Sequence, residues 1–168
     1  MNKELSKEVF EDLILELSKT PEVTEAEFLN RMSVSQEFAR VKNKTSKILA
    51  TSKLIHYSTR NEKLNKIINK LTNRDTADII SLHTIESHPP SETKPHVDTP
   101  STCTLNILLE DKFEGGEFYL NENLYTGLAK KGDYVVYNGG KEKHSVSKIT
   151  KGIRKSLIVW YGKSKQLI

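Results

Sequence analysis

The sequence predicts a mainly β fold with N-terminal helices, an α+β chain whose strands form an antiparallel barrel or double-sheet jelly roll. Three observations predict it. Apolar residues recur at helical spacing near the N-terminus, and from Ile79 onward the texture changes to short apolar runs. Pro, Gly and Asn separate those runs. With 168 residues and 36% hydrophobic content, the chain is long enough to bury one good core and short for two. Residues 1–168 therefore read as a single domain, with 1–75 a mainly helical support and 76–168 the strand-built core.

Taken in order, Val9, Phe10, Leu13, Ile14 and Leu17 repeat at three and four between Ser6 and Ser18, the period of an amphipathic helix. Thr24 with Glu27 has the form of a capping box, and Phe28, Leu29 and Met32 after it predict a second helix. Ser33 to Ile55 is rich in Lys, Ser and Thr. Leu64, Ile67, Ile68 and Leu71 return to helical spacing, so the first seventy or so residues read as mainly helical. The predicted strands are Ile79 to Ile85, Ser101 to Leu109, Gly116 to Leu120, Asp133 to Tyr137, His144 to Val146 and Ser156 to Tyr161.

Within Ser101 to Leu109, Cys103, Leu105, Ile107 and Leu109 form a uniformly apolar face, while Thr102, Thr104, Asn106 and Leu108 form a mixed one. Burying an unpaired polar group costs roughly 1–3 kcal/mol, so the mixed face needs a polar interior to look into. Thr104 and Asn106 are expected to point into the barrel, with the apolar face against the N-terminal helices.

Charge and cysteine content narrow the function classes. The 26 basic and 22 acidic residues are scattered, and the net charge of +4 marks no concentrated patch, so a nucleic-acid partner is not indicated. Cys103 is alone, which excludes a disulfide framework and a zinc cluster built on cysteine. No secretory h-region opens the chain and no run approaches the ~20 apolar residues of a membrane span, so a cytoplasmic protein with no membrane partner is expected.

Three pieces of the strand-rich half carry chemistry. In His96-Val97-Asp98, residues two apart on an extended backbone project to one face, where an imidazole and a carboxylate can share an ion. That donor pair suits iron(II), manganese or zinc, although Pro95 and Pro100 would equally suit an exposed loop. His144 follows the turn Asn138-Gly139-Gly140 and leads into a strand that can carry its ring back to the first pair. Two histidines and a carboxylate on one face leave coordination positions open. Arg154 and Ser156 then share one strand face with Ile158 and Trp160, and a planar guanidinium fork beside a hydroxyl matches a carboxylate.

Together, His96-Val97-Asp98, the Gly115-Gly116-Glu117 before a strand, His144, Arg154 ten residues later and the closing Val159-Trp160-Tyr161 resemble the prolyl 4-hydroxylase-like branch of the iron(II)- and 2-oxoglutarate-dependent oxygenases. The likeness covers Ile79 to Tyr161, roughly half the chain. It implies a double-stranded β-helix of the jelly-roll kind, with His96, Asp98 and His144 ligating iron(II) and Arg154 holding the distal carboxylate of 2-oxoglutarate as co-substrate. Ser156, Thr104, Asn106, His83 and Trp160 are the further candidate co-substrate contacts, and ascorbate is the candidate reductant. One departure stands out. Family members often place a tyrosine where His83 falls, and Ser87-His88-Pro89-Pro90-Ser91 lengthens the interval from His83 to His96.

The implied activity is hydroxylation of an unactivated carbon, with a prolyl residue in a peptide or protein as the leading substrate. A free amino acid, another small metabolite or a nucleic-acid base would use the same triad, and a metal-binding jelly roll without catalysis is the reading from another class. His88 to Lys94 and Asn121 to Lys131 are expected to line the substrate groove. His56 and His88 lack partners at metal-ligand spacing, and Tyr119, Tyr125, Tyr134 and Tyr137 read as core or rim.

Overall fold

The computed structural model describes residues 3–24 and 51–162. In chain order the elements are β1 (Lys3–Glu4), α1 (Lys7–Ser18), β2 (Ser52–His56), α2 (Glu62–Thr72) and a 3-10 turn (Thr76–Asp78), followed by the strands β3 (Ile79–Ser87), β4 (Thr93–His96), β5 (Cys103–Glu110), β6 (Phe113–Gly115), β7 (Phe118–Leu120), β8 (Asn123–Leu124), β9 (Asp133–Tyr137), β10 (His144–Val146), β11 (Ile149–Gly152) and β12 (Arg154–Tyr161). The helix expected after Thr24 lies outside the described residues.

The helices begin where side chains can satisfy their free N–H groups. Ser6 Oγ accepts from the Val9 N–H at 3.2 Å to open α1. Asn61 Oδ1 accepts from Lys63 and Leu64 to open α2, while its Nδ2 donates to Glu16 O and Thr20 Oγ1, each at 3.0 Å. One amide thus starts the second helix and ties it to the end of the first. Asn73 closes α2 in the left-handed conformation (φ 54°), which Asn tolerates better than most residues.

Six strands form the larger sheet in the order β1-β9-β5-β12-β3-β2, and β4-β10-β7-β8 form a second, with β11-β6 a two-stranded ribbon. Every pairing is antiparallel. Leu13, Leu17, Leu64 and Ile68 from the helices pack on Cys103, Leu105, Ile107 and Leu109 of β5 and on Leu157, Val159 and Tyr161 of β12. Fully burying each such side chain contributes about 1.5–3 kcal/mol, so this layer fixes which face of the larger sheet looks outward. The apolar face of β5 meets the helices as its alternation requires. Leu108, on the other face, joins Phe118, Leu128, Val135 and Tyr137 between the sheets.

Three expectations are corrected. Ser52–His56, inside the stretch read as mainly helical, is a strand at the edge of the larger sheet, where Leu54 and His56 pair with Ile85 and His83. Five residues are too few to display a period, and partners distant in sequence decide their conformation. The strand expected over Gly116 to Leu120 is shorter and begins at Phe118, because Gly115 (φ 73°) and Gly116 (φ 62°) turn the chain between β6 and β7. The last strand starts at Arg154, two residues earlier than expected.

Register sets the inner face. Arg154, Ser156, Ile158 and Trp160 of β12 stand beside Ser87, Ile85, His83 and Ser81 of β3. On the other flank Ser156, Ile158 and Trp160 stand beside Leu108, Asn106 and Thr104 of β5.

Candidate metal centre and its cavity

His96 ends β4 and His144 begins β10, and the two are register partners across that pair. Asp98 follows β4, its N–H donating to Gly139 O at 2.7 Å and its carbonyl accepting from Ser101 at 2.9 Å. A Cβ at Gly139 would collide with the Thr104 hydroxyl, so only glycine lets this turn approach β5 closely enough to hold Asp98.

His144 Nε2 lies 2.9 Å from Asp98 Oδ2 and His96 Nε2 lies 3.4 Å from Oδ1. The Nδ1 of His96 faces Lys94 O at 2.7 Å and that of His144 faces Glu142 O at 2.9 Å. Nδ1 must carry the proton to donate to a carbonyl, which would leave each Nε2 lone pair to a bound metal in place of its present contact with Asp98. One ligand atom from each of the three residues falls within 4.8 Å of the others, and no second group of this kind occurs among the described residues. Asp98 and His144 are buried, whereas the His96 side chain is 34% exposed and opens the centre to the outside.

Electrostatics favour an ionised carboxylate here. Burial opposes the charge on Asp98, but hydrogen bonds and charge from His144 and His96 outweigh it and hold the carboxyl well below its ordinary range. Burial likewise opposes the charge on His96, and Asp98 with the Lys94 carbonyl raises it nonetheless. Two imidazoles and a carboxylate, all aimed at one point, suit a divalent transition metal.

A cavity between the sheets is lined by the triad and by residues of the larger sheet. Arg154, Ser156, His83, Asn106 and Trp160 all line it. Thr104 also faces inward but stands outside the cavity, its hydroxyl 2.8 Å from Ser101 Oγ. Ser91, Glu92 and Thr93 of the His88 to Lys94 loop contribute to the wall, whereas no residue of Asn121 to Lys131 does. Leu128 of that second segment is instead drawn into the apolar cluster with Phe118.

Arg154 is buried with its Nε donating to Gly116 O at 3.0 Å and its Nη1 to Ser156 Oγ at 2.9 Å. Its Nη2 is buried with no partner. No carboxylate is paired with this guanidinium among the described residues, and burial pushes its pKa down to about 10. Leaving a buried donor on a charged group unmet is costly, so the arrangement calls for an anionic ligand.

Three further positions at the candidate site were given no role there by the sequence. Tyr137 lines the cavity, its ring centroid 5.0 Å from that of His144. Its hydroxyl, which burial drives far above the ordinary tyrosine range, stands against the Asn106 amide. His56 also lines the cavity, 5.3 Å from His83 between ring centroids. Gly116 holds the Arg154 Nε through its carbonyl. The glycine pair was the one legible signal; Tyr137 and His56 reach the cavity through strand pairing alone. His83 itself bonds Ser81 Oγ through Nδ1 at 2.7 Å and meets Trp160 edge-on, and burial first, then His56, pushes its pKa down to about 3.

Compared with solved structures, the chain is similar to a prolyl hydroxylase from Trichoplax adhaerens in complex with a hypoxia inducible factor oxygen degradation domain peptide fragment. The TM-score is 0.59 at 14% identity, covering 99% of this chain and 83% of that one. The chain has the same jelly-roll fold. A viral collagen prolyl hydroxylase from Paramecium Bursaria Chlorella virus-1, solved with 2-oxoglutarate, shares this jelly roll with a TM-score of 0.54 at 14% identity over 65% of this chain and 77% of that one. A 2-oxoglutarate-Fe(II) oxygenase family oxidoreductase from Burkholderia pseudomallei aligns with a TM-score of 0.49 at 18% identity over 60% of this chain, which spans about half (52%) of that protein's length. No protein-family model and no curated protein matches the sequence. Among the described residues, no helix of the jelly roll or its support is long and apolar enough to cross a membrane.

Proposed function

We propose that this chain is an iron(II)- and 2-oxoglutarate-dependent dioxygenase that hydroxylates an unactivated carbon, most suitably a prolyl residue in a peptide or protein. The observation that carries the reading is the buried, partly unpartnered Arg154 guanidinium in the same cavity as the His96–Asp98–His144 triad. A metal-binding jelly roll without catalysis has no use for a carboxylate anchor there.

His96, Asp98 and His144 would hold the iron, and a three-residue ligand set would leave room on it for the co-substrate and dioxygen. Iron(II) supplies the oxidising chemistry: one oxygen atom of O2 enters the substrate C–H bond as hydroxyl, the other enters succinate, and carbon dioxide leaves the 2-oxo acid. The protein supplies position. Arg154 Nη2 and Ser156 meet the distal carboxylate, which orients the 2-oxo acid head toward the triad. Apolar Ile85, Ile149, Ile158 and Trp160 keep the cavity dry around it. The part-exposed His96 on β4, at the margin of its sheet, gives an extended peptide access to the metal, and the similar Trichoplax adhaerens protein is itself in complex with a peptide fragment.

Anaerobic addition of iron(II) and 2-oxoglutarate should give the weak visible charge-transfer band of a chelated 2-oxo acid, and His144→Ala or Asp98→Ala should abolish it. Absence of the band in the unaltered chain overturns the oxygenase reading. With the band present, succinate release against proline-rich peptides, free amino acids and oligonucleotides ranks the substrates; release driven by free proline and not by peptides overturns the protein-hydroxylase choice.

A further inference from the structure

At the Arg154 end of the cavity three serines form a chain. The Ser52 hydroxyl donates to Ser87 Oγ at 3.1 Å and lies 3.0 Å from Ser91 Oγ. A serine has one proton, and Ser52 has used it on Ser87, so Ser91 must be the donor in the second contact. The order is therefore Ser91 to Ser52 to Ser87. It ends at Ser87, whose own proton meets no acceptor among the described residues.

Ser87 is the register partner of Arg154, and both line the cavity, whereas Ser52, the register partner of Ser87 on β2, is not among the lining residues. Directly opposed side chains on antiparallel strands stand about 4.5–5.5 Å apart at Cβ. The hydroxyl of Ser156, having accepted from Arg154 Nη1, also keeps a free proton. Three donors without a partner among the described residues thus gather around this guanidinium: Arg154 Nη2, Ser156 O–H and Ser87 O–H. Hydrogen bonds in a chain polarise one another, which strengthens the terminal donor.

Ser91 is 5% exposed and its position is fixed on all sides. Its N–H donates to His88 O at 2.8 Å, its carbonyl accepts from Ile149 at 2.9 Å, and its hydroxyl reaches Ser52 on the edge strand β2. Ser87, the last residue of β3, and Ser91 bound the five residues that the family resemblance reads as lengthening the interval between His83 and the metal motif. The extra residues carry both ends of the relay.

We infer that the Ser91–Ser52–Ser87 relay is a specificity element for the co-substrate, in which Ser87 donates to the distal carboxylate beside Arg154 while Ser52 and Ser91 orient that donor. The inference rests on the proposed function. It makes the lengthened segment part of the co-substrate site and requires an anionic group at the far end of the 2-oxo acid.

The chain contains one tryptophan, Trp160, and it lines this cavity, so its fluorescence reports occupancy without turnover. The zinc(II)-loaded chain is titrated with 2-oxoglutarate and with 2-oxobutyrate, which has the same chelating head and lacks the distal carboxylate. Ser87→Ala should weaken 2-oxoglutarate roughly ten- to a hundredfold, the range for a hydrogen bond to a charged group, and leave 2-oxobutyrate unchanged. Ser87→Thr should bind 2-oxoglutarate like the unaltered chain, while Ser87→Val, of the same shape without the hydroxyl, should behave like the alanine variant. Ser52→Ala should give a smaller loss, again confined to 2-oxoglutarate. Equal binding of 2-oxoglutarate by the Thr and Val variants, or equal losses for both ligands, overturns the relay. Failure of the unaltered chain to prefer 2-oxoglutarate over 2-oxobutyrate overturns the Arg154 carboxylate site instead.

Discussion

His96 and His144 face each other as register partners on antiparallel strands, their ring centroids 4.4 Å apart. Backbone pairing alone therefore brings together two residues separated by half the strand-rich region, and a carbonyl on the Nδ1 side of each ring turns its Nε2 toward Asp98.

Removing either ring leaves two donors, too few for a tight site. Calorimetric titration with iron(II) under nitrogen should show one saturable site in the unaltered chain and none in His144→Ala over the same concentrations. Retention of that site would dismiss the triad.

Arg154→Lys keeps the charge and loses the fork. The lysine cannot reach Gly116 O, Ser156 Oγ and a ligand carboxylate together, so 2-oxoglutarate affinity should fall by at least about tenfold while metal affinity holds. Equilibrium dialysis of the metal-loaded protein measures both.

Gly139→Ala should cost about 1–3 kcal/mol, because the new methyl drives the turn off Thr104. The same shift pulls Gly139 O from the Asp98 N–H, so metal affinity should drop with stability. Urea midpoints paired with metal titrations would show the two losses together; loss of stability alone would detach this turn from the metal centre.

The buried neutral His83 makes the metal-free fold sensitive to acid. Its folded pKa, about 3, lies below its ordinary value of 6.5, so between these values the unfolded chain binds a proton that the folded chain does not. Stability must therefore fall as pH drops from 6.5 toward 3, by at most about 1.4 kcal/mol per pH unit. His96 is raised and works in the opposite direction, so the readout is a difference between chains. Between pH 7 and pH 5, urea unfolding should show roughly 2 kcal/mol more loss in the unaltered chain than in His83→Phe.

Leu105 is fully buried between the helices and the larger sheet. Leu105→Ala should destabilise by about 2–5 kcal/mol and leave iron(II) affinity intact in the folded fraction, because the site lies on the other face of β5. Thermal unfolding and metal titration check the two halves of that statement.

The alternation of Cys103, Leu105, Ile107 and Leu109 against Thr104, Asn106 and Leu108 sets the two faces of β5, since period two leaves a strand no other way to sort them. The same local logic made α1 and α2 legible from apolar spacing, while the caps at Ser6 and Asn61 emerged from the structure. The candidate metal and carboxylate motifs were legible only as a set, since His96 and Asp98, His144, and Arg154 with Ser156 carry the family resemblance together and each is weak alone. Tertiary structure decided the rest. Ser52–His56 is a strand only because β3 offers an edge, and that pairing brings His56 to the cavity wall and Ser52 to Ser87. Tyr137, the Gly116 carbonyl and the serine relay likewise depend on partners far along the chain. Strand pairing and sheet closure are non-local, and no spacing within a segment encodes which distant side chain will stand opposite it.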